Sequence, residues 1–381
     1  PGPSDIHPNV LEALGRSTVG HLDPYYLVVM DQLQSMLRDL FQTQNPMTFA
    51  VSATGSAGME ATVVNLIEPG DSMIACVNGV FGGRMSDVAT RAGADVTRVE
   101  KPWGEVFSPD DLKDALVKSK PKVVGIVMAE TSTGASQPIK EISDLVHDAG
   151  AMLLVDSVTS LGGMPVLVDD WNIDAIYSGS QKCLSCPPGL APVSFSPRAV
   201  ETILNRKSKV QSWYLDVTML ASYWGDERAY HHTAPINMTY ALHEAVRLIL
   251  QEGLQSCFAR HDLNHRALRA GLAALGIGYS AQSGYELPML NAVEVPSGVD
   301  DATVRSELLN RFGIEIGGGL GAFKGKVWRI GLMGYGARQN NVLLLLSALE
   351  QLLNEQGHAF EAGASIAAAN DVYAQQQQAM A

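Results

Sequence analysis

Two charged side chains follow apolar stretches of the sequence and could do chemistry together. Lys182 comes shortly after the apolar run 173–177, and Asp156 ends the run 151–156. A carboxylate at the end of a buried strand is costly to ionise unless a cation or several hydrogen-bond donors face it. Taken singly, each has a simpler explanation, as a solvated lysine and as a turn or helix-capping aspartate. Taken together, they provide an amine and a buried anion at the carboxyl ends of strands in one sheet.

A third stretch offers a place for a phosphate group. The loop 52–58 is rich in glycine and serine, follows the strand-like run 47–51 and precedes a helical pattern from Met59 to Leu66. Free backbone N–H groups and the helix dipole at such a turn can hold a dianion. Pyridoxal phosphate needs a lysine for its aldehyde, an acid for its ring nitrogen and a cradle for its phosphate. The sequence therefore predicts a site for this cofactor, with Thr54, Gly55 and Ser56 in the cradle.

The first half of the chain has the pattern of an α/β sheet that would position these groups. Short apolar runs alternate with amphipathic segments and predict strands at 47–51, 73–77, 95–99, 122–128, 151–155, 173–177 and 191–195. Such alternation is typical of a mostly parallel sheet covered on both faces, in which ligands bind beyond the carboxyl ends of the strands. Thr54, Asp156 and Lys182 all fall at such ends, so we expect them to share one site.

The pattern changes after Arg206. Residues 207–233 are rich in aromatics and aperiodic, and two helices are predicted from 241 to about 275. A smaller domain would follow, with strands at 288–295, 313–316 and 326–332 and helices at 301–311 and 339–354. Residues 1–26 have the character of an extended arm, and the tail is expected to be a short helix or disordered. The predicted division is an arm at 1–20, a large domain at 21–255, a small domain at 256–356 and a tail at 357–381.

Composition narrows the class of protein. A chain of 381 residues, 46% hydrophobic and 18% charged, suits a soluble enzyme of two domains. Its net charge of -13 argues against a nucleic-acid partner. No apolar run approaches the roughly 20 residues that span a bilayer, and residues 1–7 have no signal-peptide character. The four cysteines are few and scattered, so we expect a reducing, cytoplasmic location.

The chain resembles the class V aminotransferases, pyridoxal phosphate enzymes of fold type I, and among them the alanine/serine:glyoxylate aminotransferase branch. The resemblance covers nearly the whole chain and rests on short stretches in a fixed order: Pro1-Gly2-Pro3-Ser4, Glu60, Pro69-Gly70-Asp71, Ser132-Thr133-Gly134, Val155-Asp156-Ser157, Ser178 to Lys182, Tyr230-His231-His232-Thr233 and Arg329-Ile330-Gly331. It implies a large domain with a mostly parallel seven-stranded sheet, a smaller C-terminal α+β domain, and a homodimer with shared active sites.

The resemblance also implies roles for individual residues. Lys182 would hold the cofactor and move the proton between substrate and cofactor, while Asp156 would pair with the ring nitrogen. Phe81 would stack on the ring where most relatives carry tryptophan, although on sequence alone it could equally be a core residue. The remaining cofactor contacts that it implies are Val158 on the other ring face, Thr131 near the ring oxygen, Gln181 at the phosphate, and Tyr230 and Thr233 at the phosphate of the other subunit's cofactor.

Substrate recognition is expected from two residues. Arg329 lies in the strand pattern 325–331, and a guanidinium can bind a substrate carboxylate through two parallel hydrogen bonds. Tyr230 stands where the similar ureidoglycine:glyoxylate aminotransferases are expected to carry asparagine, and a bulky phenol would favour small amino acids. We therefore expect alanine, with serine as a second donor, and glyoxylate as the acceptor. Ureidoglycine is the alternative donor.

Functions of other classes fit the sequence less well. A cysteine desulfurase typically has histidine before its lysine and a reactive cysteine in the smaller domain, whereas here Gln181 precedes Lys182 and no cysteine follows Cys257. A non-catalytic cofactor-binding protein would be expected to lose Lys182 or Arg329. A nicotinamide-dependent dehydrogenase would need a glycine fingerprint after its first strand, which the glycines at 55 and 58 do not fit.

No metal site is expected. His231 and His232 are adjacent and would point in different directions in either regular structure, with no third ligand spaced to join them. Cys183 and Cys186 form a C-x-x-C pair without a second pair nearby, so they are interpreted as structural thiols.

Overall fold

The computed structural model describes residues 1–380, with 379 and 380 described by their backbone alone. The strands in this part of the chain are β1 (Met47–Val51), β2 (Ser72–Val77), β3 (Asp95–Glu100), β4 (Val123–Val127), β5 (Ala129–Glu130), β6 (Ala135–Ser136), β7 (Met152–Asp156), β8 (Ala175–Tyr177), β9 (Ala191–Phe195), β10 (Leu290–Glu294), β11 (Gly317–Gly318) and β12 (Val327–Gly331). The α-helices are α1 (Pro8–Leu14), α2 (Pro24–Phe41), α3 (Gly55–Leu66), α4 (Val80–Arg91), α5 (Pro109–Ser119), α6 (Lys140–Asp148), α7 (Pro197–Leu204), α8 (Val217–Trp224), α9 (Ile236–Glu252), α10 (Leu254–Ala274), α11 (Asp301–Phe312), α12 (Gln339–Glu355) and α13 (Ala364–Met380).

A seven-stranded sheet in the order β1-β9-β8-β7-β4-β2-β3 lies within the main hydrophobic core. The five strands from β8 to β3 run parallel, whereas β9 is antiparallel to both of its neighbours. Strands β4, β7, β8 and β9 are buried along their whole length, as expected of a sheet covered on both faces. In the register of β7 and β8, Asp156 lies opposite Tyr177. The predicted fold class is confirmed, and the seven predicted strands all occur.

The helix α5 begins at Pro109 with a capping box. The backbone N–H of Ser108 donates to the Asp111 carboxylate at 2.7 Å, and proline occupies the first turn. The prediction of an extended arm over residues 1–26 was wrong, because α1 lies within it and α2 begins at Pro24. The His7 side chain accepts the Asn9 N–H at 3.1 Å and so caps α1, whose Val10 side chain is buried in the main core. Histidine is an uncommon capping residue, which is why the sequence did not indicate this helix.

The second sheet has the order β10-β12-β11, all antiparallel, and it is packed by α10, α11 and α12 around a separate core. The predicted strand at 313–316 was wrong. The chain leaves α11 through Gly313 at a φ of 65° and pairs with β12 only at Gly317 and Gly318. Two glycines have no side chains that could indicate a strand, so the strand was predicted at the apolar residues that precede them.

The tail of the chain contains a long helix. In α13, Ala369 and Tyr373 are buried against the core of the second sheet, and the Tyr373 hydroxyl donates to Asn264 Oδ1 on α10 at 2.8 Å. Ser365 Oγ donates to Glu350 Oε1 on α12 at 2.6 Å. The tail is therefore a packed part of the C-terminal half.

All four cysteines are free and buried. Burial raises the pKa of each thiol, to about 12 for Cys76 and Cys257 and further for Cys183 and Cys186. Such thiols are unreactive at neutral pH. Among the described residues, no helix has both the length and the apolar character needed to cross a membrane.

Candidate active site

Lys182 and Asp156 lie at the carboxyl ends of two adjacent strands. Asp156 ends β7, and Lys182 lies in the turns that follow β8, the parallel neighbour of β7. The lysine backbone is held by Ser4, whose hydroxyl donates to the Lys182 carbonyl at 2.6 Å. Its Nζ donates to the carbonyl of Pro1 at 2.7 Å. The N-terminal segment therefore crosses directly over the amine.

A cavity of about 210 Å³ opens between these strand ends and helices α3 and α4. Eight residues that the sequence predicted for the cofactor line it, namely Gly55, Ser56, Phe81, Thr131, Asp156, Val158, Gln181 and Lys182. Thr54 is the residue directly before α3 and does not line the cavity itself. The structure thus brings together groups from five separate stretches of the sequence.

The Asp156 carboxylate is buried beside two hydrogen-bond donors. Tyr177 donates its hydroxyl to Oδ2 at 2.6 Å, and the Val158 N–H donates to Oδ1 at 2.8 Å. Burial nevertheless raises the pKa of Asp156 to about 6, against the lowering effect of these bonds. A protonated ring nitrogen at this carboxylate would favour its ionised form, since an opposite charge lowers the pKa of a buried acid.

Burial has the opposite effect on Lys182. Desolvation, followed by the charge of Arg329, lowers the pKa of Lys182 to about 8. A neutral amine is the form that can attack a carbonyl carbon or take up a proton. At neutral pH a useful fraction of Lys182 is therefore in the form that both tasks need.

The amino end of α3 has the features of an anion site. The backbone N–H groups of Gly55 and Ser56 have no acceptor among the described residues, and Thr54 forms no side-chain cap. The side-chain oxygen of Gln181 is buried without a partner, so its amide is free to turn an N–H toward an anion. Arg84 on α4 adds a cation, since its Nη1 donates to Ser56 Oγ at 3.3 Å. These unpartnered groups fit the phosphate of pyridoxal phosphate.

Arg329 lies on β12 and does not line the cavity, but its charge is close enough to Lys182 to lower the pKa of that amine. Its Nε donates to the Gly318 carbonyl at 2.8 Å, and no acidic side chain pairs with it in the described part of the chain. A Cβ placed on Gly317 would lie 2.7 Å from Pro1 Cγ and 3.1 Å from Arg329 Nη2. Pro1 therefore hydrogen-bonds the Lys182 amine and, with Arg329, lies next to Gly317. A carboxylate bound by this guanidinium would lie on the side of the amine where Pro1 now lies.

Tyr230 and Thr233 are not part of this cavity. Both are exposed, Tyr230 by 61%, and their hydroxyls lie 3.4 Å apart. The adjacent histidines contact each other, with 2.9 Å between the Nδ1 atoms of His231 and His232, contrary to the expectation that they point apart. They lie in a loop, where the directions of regular structure do not apply. His232 Nε2 also hydrogen-bonds Ser52 Oγ at 2.7 Å, at the start of the phosphate cradle.

Three residues near the cavity were missed by the sequence reasoning. Tyr177, the partner of Asp156, could have been found from the register of β7 and β8. Arg84 lies three residues after Phe81, and its guanidinium is 4.8 Å from the centre of the Phe81 ring. Glu130 is fully buried behind Phe81, and no pattern in the sequence distinguishes it from a surface glutamate.

The comparisons with known proteins agree with this geometry. A family model described as aminotransferase class-V matches residues 9–338. The (S)-ureidoglycine–glyoxylate transaminase of Bacillus subtilis (strain 168) is 40% identical over 98% of this chain and 94% of its own length. The alanine–glyoxylate aminotransferase of Callithrix jacchus is 40% identical over 93% of this chain and 86% of its own length. The solved structure of the alanine–glyoxylate aminotransferase of Nostoc sp. is 52% identical and has a TM-score of 0.91, with coverage of 92% of this chain and 93% of the other. The chain belongs to the class V aminotransferases, and it is an enzyme that uses pyridoxal 5'-phosphate as its cofactor.

Proposed function

We propose that the enzyme transfers the amino group of a small L-amino acid to glyoxylate, which yields glycine and the corresponding oxo acid. Alanine is the preferred donor in this proposal, and serine is a second one. The observation that carries it is the closeness of the groups that would hold the substrate. Pro1 accepts a hydrogen bond from the Lys182 amine, and a Cβ placed on Gly317 would contact both Pro1 Cγ and Arg329 Nη2, so the space suits a substrate with little beyond its carboxylate and amine.

Each chain residue has a distinct task in this proposal. Arg329 binds the carboxylate of the amino acid and later that of the oxo acid, and it orients the α carbon toward the Lys182 amine. Lys182 Nζ takes the proton from the α carbon and returns it, since its lowered pKa allows both directions near neutral pH. The bound cofactor supplies an electron sink for the charge that develops at the α carbon. Asp156 holds the proton of the cofactor's ring nitrogen in place.

The nature of residue 230 supports alanine over ureidoglycine as the donor. A tyrosine stands here at the position where the ureidoglycine branch is expected to carry an asparagine for the ureido group. The 52% identity to the alanine–glyoxylate aminotransferase of Nostoc sp. points in the same direction. We propose that Tyr230 acts across a dimer, where it would complete the site of the other subunit together with Thr233. We also propose a cytoplasmic location, in keeping with four reduced cysteines.

One observation favours ureidoglycine as a second candidate. The Bacillus subtilis transaminase aligns over 98% of this chain, which takes in the tail helix α13, whereas the alanine–glyoxylate relatives named above align over 92–93%. The tail helix that the two chains share does not line the cavity, so it does not bear on the choice of amino donor. We therefore rank ureidoglycine second.

The proposal can be tested with the visible absorption of the purified holoenzyme. We expect the band of the lysine-bound cofactor to fade when L-alanine is added and to return when glyoxylate follows. The same titration with L-serine and (S)-ureidoglycine would rank the donors, and Lys182→Ala should give no response to any of them. A band that ureidoglycine alone discharges would overturn the choice of alanine, and a band that no amino donor changes would overturn transamination to glyoxylate.

A further inference from the structure

Glu130 is a buried carboxylate next to the cofactor cavity that forms no ion pair in the described part of the chain, although its charge acts on Arg329 and tends to raise the pKa of that guanidinium. It ends β5 with 0% of its surface exposed, and no lysine, arginine or histidine pairs with it in the described part of the chain. Such a group is retained only if hydrogen bonds replace the water that its charge has lost. Its partners should therefore show what it does.

Four donors surround the Glu130 carboxylate. Oε1 accepts the Ser132 N–H at 3.1 Å and the Ser132 hydroxyl at 2.6 Å. Oε2 accepts the N–H groups of Phe81 at 3.0 Å and Gly82 at 3.3 Å. The Ser132 hydroxyl itself accepts the Val80 N–H at 2.9 Å, so its proton is directed to Glu130. In all four contacts Glu130 is the acceptor, the role that an ionised carboxylate fills at both oxygens. Burial raises the pKa of Glu130, and these bonds act against that rise because they favour the charged form.

These bonds replace a missing cap at the start of α4. The residue before the helix is Gly79, which has no side chain to accept the first N–H groups. Glu130 and Ser132 accept them instead, from a segment about 50 residues away in the sequence. A Cβ on Gly79 would lie 2.6 Å from Ser132 Oγ and would collide with the Glu130 side chain. The glycine therefore makes room for the distant carboxylate.

The same bonds connect two walls of the cavity. Phe81 belongs to the first turn of α4 and Thr131 lies between Glu130 and Ser132, and both side chains line the cavity. If Glu130 lost its charge, the turn that carries Phe81 and the strand end that carries Thr131 would no longer share an acceptor. Both walls would then be free to shift relative to each other.

We propose that Glu130 is an anionic positioning residue that fixes the Phe81 ring and the Thr131 hydroxyl against the cofactor. This inference rests on the assignment of Phe81 to the cofactor ring and does not depend on which amino donor is correct. Glu130 acts through the residues that it holds and does not itself line the cavity.

The test compares Glu130→Gln, Phe81→Leu and the double variant. Glutamine keeps the shape of the side chain but directs an N–H2 group toward donors. We expect Glu130→Gln to bind pyridoxal phosphate about 10- to 100-fold more weakly, as loss of hydrogen bonds to a buried charge implies, and Phe81→Leu to bind it about 10-fold more weakly, because the ring that stacks on the cofactor is lost. Both should also reduce the circular dichroism of the visible cofactor band, which reports how the ring is held. Glu141→Gln, at an exposed position on α6, is the matched control and should match the wild type.

The double variant separates positioning from general stability. If Glu130 acts through Phe81, the affinity of the double variant for the cofactor should be at most about twofold lower than that of the single variant that binds the cofactor less tightly. If the affinity of the double variant falls by the product of the two single losses, the proposal is overturned. A Glu130→Gln enzyme with wild-type affinity and dichroism would overturn it as well. If Glu130→Gln does not fold, Ser132→Ala provides the same readouts, with a smaller loss of affinity and the same spectral change expected. An unchanged Ser132→Ala spectrum would then count against the proposal. Because no amino donor is added, an incorrect substrate assignment cannot affect the result.

Discussion

Lys182 carries its amine into a buried site at a pKa of about 8, compared with 10.5 for a solvated lysine. At pH 7 this leaves roughly a tenth of the amine neutral, whereas an unshifted lysine would be neutral at less than about one part in a thousand. Since the neutral amine is the nucleophile, the shift should be visible in how fast the cofactor-free protein captures pyridoxal phosphate.

We predict that the rate of this capture rises as the pH increases through about 8 and then levels off. Stopped-flow absorption of the visible band, at pH values from 6 to 10, would measure it. Lys182→Ala should still bind the cofactor but should not form the band of the lysine-bound cofactor at any pH. A rate that is constant with pH, or one that rises only near pH 10, would contradict the lowered pKa.

Arg329 is expected to act on substrates without affecting the cofactor. Its Nε is committed to the Gly318 carbonyl, so its two Nη groups are left to bind a carboxylate as a fork. A lysine has a single ammonium group, so it could not hold the Gly318 carbonyl and also bind a carboxylate through two parallel hydrogen bonds. We predict that Arg329→Lys raises KM for the amino acid and for the oxo acid about 10- to 100-fold, with the visible spectrum unchanged.

The matched control is Arg305→Lys, in the same domain, where the arginine pairs with Asp301 on one helix. Steady-state kinetics with both substrates would provide the comparison, and its KM values should stay near those of the wild type. Equal KM values for the Arg329→Lys enzyme and the wild type would remove Arg329 from the substrate site.

Among the individual site residues, the sequence predicted those that lie directly at strand ends, because the position of a residue along its strand determines where it lies. It could not predict Glu130, since its partners come from a helix start far away in the chain. Arg84 was missed for a similar reason, as only the packing of α3 against α4 brings it to Ser56.

The elements of the large domain follow from alternation of apolar and amphipathic segments, and their predicted strands were correct within about two residues. The errors lie where side chains give no signal. The two glycines of β11 pair through their backbone alone, and α1 depends on a histidine cap. The sequence also left the tail open between a helix and disorder, since its many alanines and glutamines have no strong periodicity.

The hydroxyl of Tyr373 gives a direct test of how α13 is held. It donates to Asn264 Oδ1 in a buried contact, while Asn264 Nδ2 donates to the carbonyls of Arg260 and Ala337. We predict that Tyr373→Phe lowers the free energy of unfolding by about 1–3 kcal/mol, because it leaves a buried acceptor without a donor.

Urea unfolding followed by far-ultraviolet circular dichroism would measure this change. Tyr285→Phe is a suitable control, because the Tyr285 hydroxyl has no partner in the described part of the chain. If both variants unfolded at the same urea concentration as the wild type, the contact between α13 and α10 would not contribute to stability.

For the whole molecule, the main feature is an array of large apolar side chains on the surface. They include Leu11, Leu22, Tyr25, Val28, Trp213 and Tyr230, each at least 45% exposed. His21, which precedes Leu22, lies beside Tyr230 with 4.9 Å between the ring centres, so part of this set forms one patch, as is typical of protein interfaces. They agree with the proposed dimer, in which Tyr230 and Thr233 of one subunit would complete the cavity of the other.

This arrangement predicts complementation between two inactive forms. One chain carries Lys182→Ala, and the other carries Tyr230→Ala with Thr233→Ala. In a heterodimer, one site has both changes and the other has none, so we expect about half of the wild-type activity per dimer. Co-expression with two affinity tags, followed by sequential purification, would isolate the heterodimer for assay.

The two homodimers serve as controls, with no activity expected from Lys182→Ala and weak cofactor binding from the double variant. A heterodimer no more active than the average of its parents would show that each chain completes its own site.

The burial of all four thiols makes this enzyme convenient for site-specific labelling. With every native cysteine buried and its pKa raised, maleimide reagents should leave the folded chain unmodified. A cysteine introduced at an exposed position, such as Val117 on α5 or Leu344 on α12, would then be the sole point of attachment. A pair of such labels, one on α5 and one on α12, could follow the distance between these helices during turnover by fluorescence energy transfer without prior removal of any natural residue.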